Sequence, residues 1–222
     1  MPFNVSYMDV SDFPDIMPIF PLTGALLLPR GQIPLNVFEP RYVSMIDDAL
    51  KGSRLIGMIQ PLPSQSRKII VPKLFEVGCI GRITQFAETG DGRYLLTLTG
   101  VIRFKVKSEV AAITPYRQAE FSVEDYLVDL EPRAGEDAVD RDALLSTLRK
   151  FSKANDVSID WDGVKEAPNE ALVNALSMMA PYGVKEKQAL LEARDLHDRS
   201  EMLIAITEFE LARQSDGDTS VQ

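Results

Sequence analysis

Apolar and polar residues alternate with a period of two through most of residues 16–126, and the period lengthens to about 3.6 after residue 131. The chain therefore reads as a strand-rich part followed by a helical part, an α+β class. In residues 101–107, Ile102, Phe104 and Val106 share one face of a strand, and Arg103, Lys105 and Lys107 share the other. Residues 117–124 repeat the device, with Ala119, Phe121 and Val123 alternating with Gln118, Glu120, Ser122 and Glu124. The intervening AETGDGR segment carries glycines that tolerate positive φ, which predicts a hairpin joining residues 77–86 to 94–99.

One helix interrupts the strands. Residues 18–42 read PIFPLTGALLLPRGQIPLNVFEPRY, an apolar run punctuated by proline and ending in Glu39-Pro40-Arg41-Tyr42. Pro40 suits a first helical turn and Glu39 sits at its positive end. Tyr42, Met45, Ile46, Ala49 and Leu50 form a stripe that stops at Gly52. The tetrapeptide thus predicts a strand-to-helix corner with Phe38 packed beneath it. Arg41 is expected to tie the corner to the sheet through backbone carbonyls, at a cost of about 1–3 kcal/mol for Arg41→Ala.

In the second part, Leu144, Leu145, Leu148 and Phe151 mark a helix, and residues 155–167 read as a polar connection carrying Trp161. Asn169 is expected to cap a helix bearing Leu172, Ala175, Leu176 and Met179, broken at Pro181. A short helix over 185–192 follows. A last one starts near Asp198, its expected cap, and presents Met202, Leu203, Ile206 and Phe209. The pattern divides the chain into an N-terminal extension (1–15), a β-rich part (16–131), a helical part (132–214) and a polar, disordered tail (215–222).

Composition narrows the function classes. The apolar fraction is 45 % and the charged fraction 26 %, values of an ordinary globular chain. A net charge of −9 repels phosphate backbones and disfavours nucleic acid as a partner. No apolar run approaches the ~20 residues of a membrane span, and the N-terminus lacks a basic signal region. With Cys79 as the lone cysteine, the expectation is a cytoplasmic protein in a reducing compartment.

Catalytic and cofactor motifs are missing. There is no phosphate-cradling glycine-lysine loop, and one histidine with one cysteine excludes zinc patterns built on pairs of either. Neither ATP binding nor any other cofactor is expected. His197 reads as a surface histidine, Cys79 as a small buried hydrophobe, and Asp47 with Asp48 as a solvated helix face. Arg67, Lys68 and Lys73 read as a solvated strand edge.

The segment 18–42 resembles the start of the Lon protease N-terminal, or substrate-binding, domain family: an apolar PLFPL-like strand at 18–22, an apolar run to Gly31, and then PLNVFEPRY at 34–42. The VGCIG strand at 77–81, the Gly-Asp-Gly hairpin, TGVIRF at 99–104 and EKQALLE at 186–192 are similar too. Lon continues into an ATPase module and a protease domain with a serine-lysine dyad; this chain carries neither and resembles the free-standing bacterial members. The resemblance implies a mostly antiparallel, PUA-like β pseudo-barrel with one inserted helix, followed by a helical subdomain. It also implies contact with unfolded or partly folded polypeptides, with a protease or chaperone as a further partner, in protein quality control and without a catalytic residue. A PUA-like nucleic-acid binder and an enzyme without a sequence motif are the alternatives.

Two places suit such a client. The favoured one is the Gln60-Pro61-Leu62-Pro63 segment with Ile69, Ile70 and Val71, read as an apolar flap around a loop at 64–68. The competing reading buries Ile69 and Val71 in a strand and uses Leu62 to cover the core. The other place is the corner of Met178, Met179 and Tyr182, where adaptable thioethers meet a helix break.

Overall fold

A computed structural model describes residues 5–63, 71–111 and 113–219 of the chain. Six strands, β1 (Ile16–Pro21), β2 (Gln32–Val37), β3 (Leu55–Ile59), β4 (Val77–Glu88), β5 (Tyr94–Val110) and β6 (Gln118–Ser122), form one sheet in the order β2-β5-β4-β3-β1-β6. The pairings return on themselves because β6 also pairs with β5, which makes the predicted pseudo-barrel. Among the described strands, only β1 and β3 run parallel. They are joined through β2 and α1 (Pro40–Lys51), in keeping with the crossover that parallel neighbours need.

β5 organises this arrangement. Its seventeen residues pair with β4 through residues 94–105, with β2 through residues 94–99, and with β6 through residues 105–110. One core draws on all five ring strands, with Met17, Ile19, Leu55, Ile80, Ile102, Phe104 and Phe121 among its members. The other packs α1 and the helical part against the opposite side, around Phe20, Leu27, Met58, Cys79, Leu98, Val173 and Leu190. Residues 5–15 join the first core, where Phe13 is buried and stacks on Tyr7 at 5.1 Å.

The expected corner forms, with Pro40 opening α1 and Tyr42, Met45, Ile46 and Ala49 buried. Two details differ. Phe38 is 62 % exposed, because Val37 before it takes the inward position at the end of β2 and the next side chain points outward, while Tyr42 packs against Phe20 at 4.5 Å. Arg41 makes no bond to the sheet; it pairs with Glu39 at 2.7 Å and lies over the Tyr42 ring. Asp47 and Asp48 tie α1 down rather than facing only water, since Asp47 accepts from Tyr94 Oη at 2.8 Å and Asp48 from Tyr116 Oη at 2.9 Å. That bond to Tyr116 holds the Asp48 carboxyl below its ordinary pKa.

The helical part comprises α2 (Arg141–Ala154), α3 (Trp161–Glu166), α4 (Asn169–Met179), α5 (Val184–Glu192) and α6 (Leu196–Thr219). α3 lies where a polar connection was expected. Its start is set by Asp160, whose carboxylate accepts from the Asp162 and Gly163 amides at 3.2 and 3.1 Å. Pro168, not Asn169, precedes the first turn of α4. Asn169 is instead used sideways, donating to Glu136 O and accepting from Arg141. Asp195, not Asp198, accepts the amide at the start of α6, at 2.8 Å. The backbone of α6 continues through residues 215–219, where a disordered tail was expected, because each residue added to a formed helix gains a hydrogen bond at little cost. Ser220, Val221 and Gln222 lie outside the described residues.

Candidate functional site

The loop between β1 and β2 places the site. Gly100, in mid-β5, donates to Gly31 O and accepts from Arg30 N, both at 2.8 Å, so the loop lies directly across the strand. A Cβ at Gly100 would fall on Leu28 O, so only glycine allows this approach. Arg30 sits there at φ 63°, and Arg133 faces it at φ 66°. Both are uncommon for a residue with a side chain, and one carboxylate holds both. Glu170 of α4 accepts from Arg30 Nε at 2.9 and 3.0 Å and from the Arg133 amide at 2.9 Å. Arg133 also pairs with Glu136. Burial works against ionising Glu136, yet its bond to Arg133 leaves its pKa lowered on balance.

Between this loop and α4 lies a cleft of about 520 Å³. Pro29, Pro132, Pro168, Ala171, Ala175 and the two methionines give it apolar walls, while Arg30, Glu170 and Asn174 supply its polar groups. Asn174 is buried and donates to Pro29 O at 3.1 Å, which locks one wall to the other. Met178 packs over Gly31, where a Cβ would meet its sulfur. Met179 is 82 % exposed at the rim. Lys187 braces the far side by donating to Gly24 O at 2.9 Å and Met178 O at 3.4 Å, and its burial lowers its pKa.

The expected binding residues separate in space. Met178 and Met179 line the cleft, but Tyr182 turns to α6 and its hydroxyl meets Thr207 Oγ1 at 2.5 Å. In the other expected place, Leu62 and Val71 are exposed beside a short ladder in which Leu62 N donates to Lys73 O and Phe75 N to Gln60 O. Ile69 and Ile70, with the loop 64–68, lie outside the described residues. Gln60 is no part of an open surface. It is 2 % exposed, accepts from Gly24 N at 3.2 Å, and donates to Val184 O and Gln188 Oε1 at 3.1 Å.

The sequence reading missed Arg30, Glu170 and Asn174. A signal was present, since Glu170, Asn174 and Met178 recur every four residues on α4, flanked by the small Ala171 and Ala175. A second apolar surface lies on the outer face of β2, β5 and β4. There Leu95 is 47 % exposed beside Pro34, Asn36, Ala87 and Thr97 in an open hollow. Among the described residues, no group of three or more His, Cys, Asp or Glu side chains is placed to hold a metal. No helix among them is long and apolar enough to cross a membrane.

Comparison with known proteins places this geometry. Residues 16–208 match the family described as the ATP-dependent protease La (LON) substrate-binding domain. The Lon protease of Anaeromyxobacter dehalogenans is 26 % identical over 204 residues, which are 88 % of this chain and 23 % of that protein. That of Cytophaga hutchinsonii is 27 % identical over 214 residues, 92 % of this chain and 25 % of that protein. The chain thus spans about a quarter of the length of these relatives. The Lon N-terminal domain protein from Xanthomonas campestris superposes with a TM-score of 0.60 at 25 % identity, covering 86 % of this chain and 97 % of that one. The N-terminal domain of Mycobacterium avium complex Lon protease shares the fold, with a TM-score of 0.62 at 17 % identity over 87 % of this chain and 98 % of that one.

Proposed function

This chain belongs to the Lon substrate-binding domain family, and from that premise we propose that it is a non-enzymatic module that holds unfolded or partly folded polypeptides in the cleft between its two parts, in the service of protein quality control. The observation that carries this reading is the pairing of rigid and adaptable walls. Pro29 and Arg30 are pinned to β5 and α4 by backbone and carboxylate bonds, while the opposite wall ends in Met178 and the exposed Met179. An unfolded segment offers varied apolar side chains and unpaired backbone groups. Unbranched, polarizable methionine side chains accept varied shapes at low cost, and fixed polar groups at the base orient the backbone.

The net charge of −9 favours this reading over one with a polyanionic partner. The test is fluorescence anisotropy with a labelled protein kept unfolded by reduction and alkylation, against the same protein folded. The unfolded form binds and the folded form does not. Met179→Glu weakens binding at least about fivefold, as expected for a charge set into an apolar contact, without moving the melting temperature. Equal binding by the variant sinks the cleft as the site.

A further inference from the structure

The two methionines of the cleft differ in what surrounds their sulfur. Met178 is half-buried, its Sδ packed where a Cβ on Gly31 would fall. Met179, the last residue of α4, is 82 % exposed at the rim. We propose that Met179 is a site of reversible oxidation by hydrogen peroxide, and that its sulfoxide form releases the client. The inference rests on the cleft being the client site. Exposure selects this sulfur, because a thioether has no proton to lose and reacts wherever its lone pair is accessible. Met17, Met45 and Met58 are buried in the core and Met202 is half-buried. Among the described residues the other open methionine is Met8, which lies on the N-terminal segment, outside the cleft lining.

In the oxidation the Sδ lone pair attacks one peroxide oxygen. The S–O bond forms as the O–O bond breaks, and the proton on the transferred oxygen passes to the departing hydroxide, which leaves as water. Sulfur gives up two electrons and the peroxide takes them. A dithiol reverses the step, becoming a disulfide while the oxygen departs as water. The product is polar where the reactant was apolar. Its oxygen is a hydrogen-bond acceptor that stays hydrated, and pressing it against an apolar client side chain strips that water away. The cleft offers no ready compensation, since its donors are bonded within the protein: Arg30 Nε to Glu170, Asn174 to Pro29 O, and Lys187 to Gly24 O and Met178 O. With the sulfur standing in solvent, oxidation leaves the fold intact and changes only the wall.

The test treats native Met8→Leu protein with hydrogen peroxide, removes the peroxide with catalase, and maps the added oxygen by tandem mass spectrometry. Met179 is converted while Met178 is not, and the melting temperature is unmoved. Fluorescence anisotropy with the reduced and alkylated client then shows a dissociation constant raised at least about threefold, restored by methionine sulfoxide reductases of both stereospecificities with dithiothreitol. In Met8→Leu with Met179→Leu, whatever its own affinity, the constant is the same before and after peroxide. An unmodified Met179, an unchanged constant after its conversion, or an equal rise in the double variant overturns the proposal. Failure of the untreated protein to bind the client sinks instead the cleft reading, and this inference with it.

Discussion

Arg103 and Asp129 form a forked ion pair beneath the helical part, with Nε to Oδ2 and Nη2 to Oδ1 both at 2.8 Å and neither residue more than 7 % exposed. Asp129 also accepts the Arg103 amide at 3.0 Å. The guanidinium goes on to donate to Leu191 O at 3.2 Å and lies 4.7 Å from the centre of the Tyr126 ring. One side chain of β5 is thereby joined to the turn at residues 124–130 and to the end of α5. Desolvation works to lower its pKa, but Asp129 raises it on balance.

Removing one partner leaves the other charged and buried. Asp129→Ala is expected to lose about 3–5 kcal/mol in urea denaturation. The double replacement Arg103→Met with Asp129→Leu should lose much less, because neither member of the pair is left buried without its partner. Equal losses in the two variants would mean that shape, not charge, dominates at this seam.

Gly100→Ala tests the close approach of the β1–β2 loop to β5. The added methyl group falls on a backbone oxygen, not on a movable side-chain end. The expected loss is about 1–3 kcal/mol or more, as for overpacking in a dense core. Gly100→Ala should also weaken client binding, since the Pro29–Arg30 wall must shift. A melting temperature within one degree of the parent protein would count against the loop geometry.

Arg41→Ala should be nearly silent. Its partner Glu39 is two residues away, and both side chains are about half exposed. An exposed pair of this kind contributes at most about 0.5 kcal/mol, below the expectation formed from the sequence. Thermal unfolding of the variant measures it directly.

Cys79 should resist alkylation in the native protein. It is 1 % exposed, and burial pushes its thiol pKa far above the ordinary value, so almost no thiolate is present at neutral pH. Iodoacetamide labelling followed by mass spectrometry should show modification only after denaturant is added. Rapid labelling of folded protein would place Cys79 elsewhere.

The legible parts of the fold were those with local causes. Proline at the first turn of α1, the Tyr42–Ala49 stripe and the Gly-Asp-Gly turn each carry their structure within a few residues. Arg103 was illegible because a charged residue alternating with Ile102 and Phe104 reads as solvent-facing until a helical layer covers that face. Lys105 and Lys107, further along the same face, do remain exposed. Phe38 failed for the opposite reason: its apolar character suggested burial, but the neighbouring Val37 takes the inward position at the end of β2. The cleft was half legible, since Met178 and Met179 stood out in the chain. Its other wall, Pro29 to Gly31, is about 150 residues away and is brought close by Gly100, which admits the loop across β5, and by the bonds of Pro29 and Arg30 to Asn174 and Glu170.

The central claim, that polypeptide clients sit between Pro29–Gly31 and α4, is tested most directly by backbone hydrogen exchange with and without a permanently unfolded client. Protection is predicted at residues 29–33 and 170–180, and it should disappear in Met179→Glu. Protection concentrated at residues 60–75 or on the outer face around Leu95, with residues 170–180 unchanged, would contradict it.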